Sequence, residues 1–266
     1  MSSVDHLFSD LKSKGQKALM PFFTAGDPDS QTTADLIRAA SKSGANLCEI
    51  GVPYSDPIAD GPVIQASYQR ALDAGFKLND MFEMGKALTQ EVSLPLVTMV
   101  SYSIVFRIGL LEYVRRAKAA GYAGAIVPDL LVEEADEFSA VCRGEDFSLI
   151  QLVTPTTPKE RQVKIAESSS GFLYYVSVTG ITGERKNLPD NLSENVAWLR
   201  GQTDLPICIG FGISGVETAK QLSPVADGLI VGSAIIRRVF ESSGRTDATD
   251  SVSAFIRDLR KAMDQT

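Results

Sequence analysis

The feature of this sequence that most constrains its fold is an alternation, repeated from end to end, of short apolar runs and longer amphipathic segments. Each apolar run is rich in aliphatic or aromatic side chains and is bounded by glycine, proline or polar residues, which is typical of buried parallel strands. The predicted strands are Ala18–Thr24, Asn46–Gly51, Leu96–Ser101, Gly124–Pro128, Ser148–Val153, Phe172–Val178, Pro206–Gly210 and Gly228–Val231.

The segments between these runs carry apolar residues at three- and four-residue spacing, which predicts helices. The predicted helices are Thr33–Ser43, Leu78–Gln90, Gly109–Ala120, Val132–Cys142, Lys159–Glu167, Leu192–Arg200, Gly215–Leu222 and Thr249–Met263. A further short helix is expected after Gly232. The stretch Glu241–Asp250 is predicted to be a polar loop before the last helix.

Eight strand–helix units are compatible with an α/β fold of two kinds, a (β/α)8 TIM barrel or an extended doubly wound sheet. The first strand is not followed by the dinucleotide-binding glycine pattern, and eight units close naturally into a ring, so the barrel is favoured. No Gly/Ser-rich or proline-rich linker is visible, and residues 1–266 are predicted to form a single TIM-barrel domain. The amphipathic segment Val4–Lys14 is expected to be an additional N-terminal helix that plugs the bottom of the barrel.

Composition excludes several classes of function. A net charge of −7 argues against nucleic acid or an anionic membrane surface as the main partner. His6 is the only histidine, which argues against a histidine-based metal site or a Ser-His-Asp triad. Cys48, Cys142 and Cys208 show no C-x-x-C spacing and are expected to be reduced core residues. Since no apolar run reaches the ~18 residues of a membrane span and nothing marks the start for secretion, a cytoplasmic protein without a metal is expected.

In a barrel, the active groups come from the carboxyl ends of the strands and from the loops that follow them. Glu49 lies in the second predicted strand, where it shares one face with Leu47, while Cys48 and Ile50 share the other. A carboxylate in a strand that is buried on both sides has two explanations. Either it is paired with an arginine or backbone amides, or it is a general acid/base whose pKa is raised by apolar surroundings.

The loop after this strand contains three prolines, which stiffen it. Asp60, followed by Gly61 and Pro62, fits a helix cap with proline at the first helical position as well as it fits a catalytic carboxylate. Asp56 lies before Pro57 and has an equally ordinary interpretation as a turn residue.

Two glycine-containing windows follow the last two predicted strands, at 210–214 (GFGIS) and 231–235 (VGSAI). Barrels commonly bind phosphate at this place with backbone amides and the N-terminus of a short helix. Because glycine lets a phosphate approach the backbone closely, the two windows together predict a phosphate site.

Two further features follow the sixth strand or lie within it. The polar, glycine-punctuated segment Thr179–Leu188 fits either a lid that closes over substrate or a mobile surface loop. Tyr174 and Tyr175 lie on opposite faces of the strand, so one of them is expected to point into the mouth of the barrel.

The run from Glu49 to Gln65 (EIGVPYSDPIADGPVIQ) closely resembles the signature of the tryptophan synthase alpha subunit family. Segments 21–28 (PFFTAGDP), 128–130 (PDL), 210–213 (GFGI) and 232–234 (GSA) also resemble this family, and their order and spacing span essentially the whole chain. The resemblance implies a TIM-barrel lyase of tryptophan biosynthesis that cleaves indole-3-glycerol phosphate to indole and glyceraldehyde 3-phosphate.

The resemblance also implies roles for individual residues. Glu49 would be the general acid/base, Asp60 would bind the indole N–H, and Thr182 on the lid would orient Asp60. The implied lining of the indole pocket is Phe22, Val100, Tyr175 and Phe211. The implied phosphate ligands are the backbone amides of Gly183, Gly212, Gly232 and Ser233.

The family's partner is a beta subunit that uses pyridoxal phosphate, and the resemblance implies an alpha2-beta2 heterotetramer. Pro53, Asp56 and Pro57 would face that subunit, and no cofactor is expected in this chain. Leu131 and Ile104 differ from the residues that are common at these positions in the family. These differences affect what the resemblance implies about the strength of subunit coupling, and they leave the implied chemistry intact.

Two other functions remain compatible with the sequence. A stand-alone indole-3-glycerol-phosphate lyase that releases free indole would keep Glu49 and Asp60 but lack the contacts to a partner. A non-catalytic module that only activates its partner is disfavoured by the presence of both carboxylates and both glycine windows. The fold alone does not distinguish this lyase from a different barrel enzyme that acts on a phosphorylated substrate.

Overall fold

A computed structural model describes residues 1–58, 60–176, 192–210 and 212–266 of the chain. In this part of the chain the strands are β1 Ala18–Thr24, β2 Cys48–Gly51, β3 Leu96–Met99, β4 Tyr122–Ile126, β5 Ser148–Ile150, β6 Leu152–Val153, β7 Leu173–Val176, β8 Ile207–Gly210 and β9 Gly228–Val231. All their pairings are parallel, in the order β5-β4-β3-β2-β1-β9-β8-β7-β6. The two ends of this order, β5 and β6, are separated only by Gln151, so the sheet curves into a nearly closed barrel. The predicted TIM-barrel fold is confirmed.

Helices surround this sheet. They are α1 Ser3–Ser13, α2 Ser30–Lys42, α3 Pro62–Asp73, α4 Leu78–Leu88, α5 Tyr102–Ile108, α6 Leu110–Ala119, α7 Asp136–Gly144, α8 Lys159–Ser168, α9 Leu192–Arg200, α10 Val216–Leu222, α11 Ser233–Glu241 and α12 Arg245–Met263, with a 3-10 turn at Val132–Glu134. None of the helices in the described ranges is both long and apolar enough to cross a membrane.

Most predicted elements are found with shifted ends, and three differences are larger. The predicted loop Glu241–Asp250 is wrong over half its length, because α12 begins at Arg245 and Asp247 accepts a hydrogen bond from the Ser243 amide at 2.8 Å. The predicted helix over Val132–Cys142 is divided into the 3-10 turn and α7. The short helix α5 was not predicted, and of α3 only a possible start at Asp60–Pro62 was predicted.

The inner face of the barrel is closed at the amino ends of the strands by α1. Val4, Phe8 and Leu11 are buried in one cluster with inward side chains of the strands, and the ring centroids of Phe8 and Phe172 lie 5.5 Å apart. Ser2 and Asp5 form a capping box at the start of the helix. The plug predicted from the amphipathic pattern is confirmed, and the open end of the barrel is therefore the carboxyl end of the strands.

The outer face of the strands packs against the helices in a second, larger cluster. Leu19 and Phe23 of β1 and Cys48 and Ile50 of β2 belong to it. All three cysteines are buried and unpaired, as predicted. Inward and outward residues alternate along each strand, and this alternation decides which side chains reach the site.

Candidate active site

Strand β2 places Glu49 on the inner face of the barrel. Its neighbour two positions before, Leu47, belongs to the inner cluster, and the residue is paired with Phe22 on β1 and Val97 on β3. Glu49 is only 1% exposed, and among the described residues neither of its carboxylate oxygens has a hydrogen-bond partner. The interpretation of Glu49 as a carboxylate paired with an arginine or backbone amides is therefore not supported.

An unpaired buried carboxylate resists ionisation, because the protein interior solvates its charge poorly. Burial, and to a smaller extent the nearby negative charge of Asp60, raise the pKa of Glu49 to about 8. At neutral pH Glu49 is mainly a protonated acid that is able to give up a proton and take it back.

Asp60 does not cap the helix that follows it. The N-cap of α3 is Gly61, and no side chain makes a cap hydrogen bond there. The backbone around Asp60 is held instead by Gln65, whose side-chain amide donates to the carbonyl oxygens of Asp60 at 2.8 Å and Pro57 at 3.1 Å. Burial raises the pKa of Asp60 to about 6, so this carboxylate is mainly ionised at neutral pH.

An apolar cluster lies at the mouth of the barrel around the two carboxylates. Its buried members are Phe22, Ile64, Tyr68 and Ile236, and Tyr54, Val63 and Met99 pack against them. Aromatic rings next to a carboxylate provide the combination that a heteroaromatic ring with one N–H requires.

Two predicted pocket residues point away from this cluster. Val100 and Tyr175 belong to the outer cluster between the barrel and the helices, which contradicts their prediction as lining of the indole pocket. The physical reason is the two-residue period of the strand, which turns their immediate neighbours inward. Met99 and Tyr174 belong to the inner cluster and are the residues of these two strands that reach the site.

Tyr174 is close to both carboxylates. The charges of Glu49 and Asp60 both raise its pKa, with burial as the largest cause. Its hydroxyl occupies the space beside Gly210, where any β-carbon would collide with it. This glycine is required by the close approach of the tyrosine.

The two glycine windows follow the adjacent strands β8 and β9. Gly212 has φ +84°, a conformation that favours glycine. Gly232 is the N-cap of α11, and its α-carbon lies close to Phe22, since a β-carbon placed on it would be 3.6 Å from that side chain. The first backbone hydrogen bond of α11 runs from the Ile235 amide to the Gly232 carbonyl. The amides of Ser233 and Ala234 therefore have no acceptor within the helix. Free backbone amides at the start of a helix are able to bind an anion.

Three of the predicted site residues, Thr182, Gly183 and Phe211, lie outside the described residues. The predicted ring residue Phe22 is in the cluster at the barrel mouth. Sequence reasoning missed Ile64, Tyr68 and Ile236. The apolar spacing of Ile64, Tyr68 and Ala71 after Pro62 would have revealed the first two as the buried face of a helix.

The loop predicted to face a partner subunit is only partly exposed. Pro53 is buried within this chain, which disagrees with its prediction as a partner-facing residue, whereas Asp56 is exposed and Pro57 is partly exposed. Pro53 is buried because it directly continues the buried end of β2, where the Val52 amide donates to the Met99 carbonyl. The exposed end of this loop is Ile58, which is 90% exposed.

The comparisons with known proteins agree with this geometry. Residues 8–264 match the family model described as the tryptophan synthase alpha chain. The tryptophan synthase alpha chain of Rhodopirellula baltica is 62% identical over 276 residues, covering 99% of both chains. That of Caldanaerobacter subterraneus is 42% identical and covers 99% of this chain and all of the relative.

Solved structures give the same result. The tryptophan synthase alpha subunit of Legionella pneumophila is 34% identical, with a TM-score of 0.92 over the full length of both chains. A chain of Mycobacterium tuberculosis tryptophan synthase is 30% identical, with a TM-score of 0.90 over 98% of each chain. With a barrel, a buried carboxyl pair and these relatives in agreement, the chain belongs to the tryptophan synthase alpha chain family.

Proposed function

We propose that Glu49 and Asp60 perform the proton chemistry of this family's reaction. That reaction is the cleavage of indole-3-glycerol phosphate to indole and glyceraldehyde 3-phosphate, a lyase step of tryptophan biosynthesis. The observation that carries the proposal is the pair of carboxyl groups itself: one is buried, unpaired and protonated at neutral pH, and the other is ionised nearby.

The reaction requires two proton transfers. Protonated Glu49 donates its proton to C3 of the indole ring, which leaves a positive charge on the ring nitrogen. Ionised Asp60 accepts a hydrogen bond from that N–H and stabilises the charge. Glu49, now a carboxylate, takes the proton of the glycerol hydroxyl next to the breaking bond. The C–C bond then breaks, its electron pair returns to the ring, and the hydroxyl carbon becomes the aldehyde.

The ring and the phosphate have separate binding places. We assign the ring to Phe22, Met99 and Tyr174, together with Phe211. The amides of Gly212, Gly232 and Ser233 are the proposed phosphate ligands, with Gly183 added from the segment that carries Thr182. Thr182 is proposed to orient Asp60. An uncharged phosphate site built from amides agrees with a chain whose net charge is −7.

The partner is proposed to be a pyridoxal-phosphate beta subunit in an alpha2-beta2 assembly. Ile58, Phe106 and Leu131 are 90%, 70% and 54% exposed, and they follow β2, β3 and β4, which are neighbours in the barrel. We propose that these three residues, together with Asp56 and Pro57, form one largely apolar surface at the open end, defined here as the rim patch. Exposed apolar patches of this kind mark protein interfaces.

The chain is proposed to need no cofactor of its own, because acid/base groups suffice for the cleavage. We propose that it is a single cytoplasmic barrel domain. The alternative of a stand-alone lyase that releases free indole is not favoured, since the rim patch would then be exposed to water without a function.

The test of the acid/base assignment is the rate of indole release from indole-3-glycerol phosphate, with and without a beta subunit. The Glu49→Gln variant is expected to bind substrate normally and to lose about 10²–10⁴-fold in kcat. Cys48→Ala, a change at the neighbouring outward position, is the control and is expected to retain wild-type kcat. Turnover of Glu49→Gln within tenfold of the wild type would remove Glu49 from the mechanism.

A further inference from the structure

Gln65 is a polar side chain next to the site to which the mechanism above gives no role. It lies near the start of α3 and is the last residue of the run that begins at Glu49 and resembles the family signature. Its backbone amide donates to the Gly61 carbonyl at 2.9 Å, as expected in a helix. Its side chain turns back beyond the start of the helix, toward the loop that carries Asp60.

The side-chain amide of Gln65 joins two points of this loop. Its nitrogen donates to the Asp60 carbonyl oxygen at 2.8 Å and to the Pro57 carbonyl oxygen at 3.1 Å. The Pro57 carbonyl also accepts a hydrogen bond from the backbone amide of Asp60 at 3.1 Å. The two carbonyl groups and the Asp60 amide therefore form one small network, and the Gln65 nitrogen bridges its two acceptors.

Only a hydrogen-bond donor fits between the two carbonyl oxygens. Carbonyl groups accept and do not donate, so the end of the Gln65 side chain that faces them is its NH2 group. Because Gln65 is exposed, water would satisfy the two carbonyls almost as well in its absence. What the side chain adds is therefore direction, since it fixes how the peptide groups of Pro57 and Asp60 are oriented.

The helix that carries Gln65 is itself fixed to the barrel. Ser67 shares a 2.6 Å hydrogen bond with Thr24 at the end of β1. Arg70 donates to both carboxylate oxygens of Asp27 at 2.8 and 2.6 Å, and Asp27 is only 3% exposed. Bidentate pairs of this kind fix geometry as well as adding energy. Gln65 thus connects the loop to a helix that is held against the barrel wall.

Asp60 depends on this connection because it does not cap the helix. Gly61 takes the N-cap position, and no side chain makes a cap hydrogen bond there. An aspartate side chain is short, so the direction of its carboxylate follows closely from the orientation of its own backbone. Holding the Asp60 peptide group therefore limits the directions in which the carboxylate points.

We propose that Gln65 is a positioning residue for Asp60: its side-chain amide holds the Pro57 and Asp60 carbonyls and thereby keeps the Asp60 carboxylate directed at the ring nitrogen of the substrate. This inference rests on the role of Asp60 under the proposed function. Gln65 does not touch the substrate, and it acts through the backbone of Asp60.

The test compares Gln65→Met and Gln65→Glu with the wild type at neutral pH, in the complex with a beta subunit. Methionine keeps the length of the side chain and ionised glutamate keeps its shape, and neither donates a hydrogen bond. We expect about five- to tenfold lower kcat in both variants, with KM within about threefold, because the proposed phosphate ligands lie elsewhere. Gln69→Met is the matched control on the same helix. The Gln69 amide donates to the Asp73 carboxylate at 2.7 Å, and its loss should leave kcat unchanged.

Hydrogen exchange tests the loop without catalysis. In Gln65→Met the Asp60 amide should exchange at least about threefold faster, because its acceptor, the Pro57 carbonyl, is no longer held. The Val52 amide, which donates to the Met99 carbonyl at 2.8 Å, should keep its rate. An unchanged exchange rate at Asp60 would overturn the proposal, as would wild-type kcat in Gln65→Glu.

A double-variant comparison separates positioning from a general effect on the helix. In an Asp60→Asn background, adding Gln65→Met is expected to change kcat less than twofold, because the group that Gln65 positions has lost its charge. A five- to tenfold loss that persists there would contradict the proposed role. If Asp60→Asn itself keeps wild-type turnover, the proposed function fails, and the exchange rate at Asp60 still reports whether Gln65 holds the loop. If Asp60→Asn is impaired and the Gln65 variants are not, only the role of Gln65 fails.

Discussion

Glu49 and Phe22 are paired neighbours in the barrel wall, on the adjacent strands β2 and β1. A carboxyl group next to an aromatic ring and closed below by the N-terminal helix has little access to water. It therefore keeps its proton at neutral pH, and its pKa is raised from 4.5 to about 8. The protonated state that the proposed acid requires is therefore a consequence of its burial in the barrel wall.

The same pKa predicts a pH dependence of stability. Between pH 4.5 and about 8 the folded chain binds a proton at Glu49 that the unfolded chain has released, so this group makes the free energy of unfolding fall as pH rises. Glu49→Gln removes the effect. Its stability relative to the wild type should rise by up to about 1.4 kcal/mol per pH unit across this window.

Urea unfolding at pH 5 and pH 8 measures the difference. Glu217→Gln, a change at a side chain that is 84% exposed, is the control and should run parallel to the wild type. Equal stability differences between Glu49→Gln and the wild type at both pH values would show that Glu49 ionises normally in the folded chain.

Asp60→Asn should damage turnover more than phosphate binding. The amide cannot stabilise a cationic ring nitrogen, so kcat is expected to fall by about 10²–10³-fold. The Kd of glycerol phosphate, measured by calorimetry, should change less than about twofold. Wild-type kcat should decrease below about pH 6, where Asp60 becomes protonated, and the variant should lack this limb. An Asn variant that retains the limb would assign it to another group.

The proposed phosphate site predicts protection of particular amides. Glycerol phosphate should slow hydrogen exchange at Gly212, Gly232 and Ser233, because their N–H groups would donate to it. The amides at the start of α8, Lys159 and Glu160, are the control, since a helix N-terminus alone should gain no protection. Exchange at the three amides that is indifferent to saturating glycerol phosphate would contradict this site.

Much of this architecture could be predicted from the sequence, because hydrophobic periodicity reports burial directly. The plug Val4–Lys14 and the inward or outward alternation of each strand follow from it. Which face is inward does not, since both faces of a parallel strand are apolar. The pocket roles of Val100 and Tyr175 were implied by the family resemblance, and periodicity alone could not show that Met99 and Tyr174 are the inward residues. The role of α3 was missed for another reason: Asp60 fits a cap, and only the backbone shows that Gly61 takes that position.

Gly51 should tolerate no side chain. A β-carbon there would collide with the ring of Phe22 and lie 2.7 Å from the Tyr68 hydroxyl, both in a packed cluster. Gly51→Ala is expected to lower the free energy of unfolding by about 1–3 kcal/mol and to reduce kcat by displacing α3. Gly144→Ala on α7, where nothing lies within 4 Å, is the matched control and should be neutral or slightly stabilising. Equal urea midpoints for the two variants would show that the cluster around Gly51 rearranges to accept a methyl group without loss of stability.

The rim patch should determine affinity for the beta subunit. Phe106→Ser removes a side chain that is 70% exposed, so the isolated chain should be as stable as before. If the side chain is buried against the partner, the Kd of the complex should rise by about tenfold or more. Phe240→Ser, at a phenylalanine that is 66% exposed near the end of α11, is the control and should leave the Kd unchanged. Titration of a pyridoxal-phosphate beta subunit, with cofactor fluorescence as the readout, measures both. Equal Kd values for the two variants would place the partner on another face of the barrel.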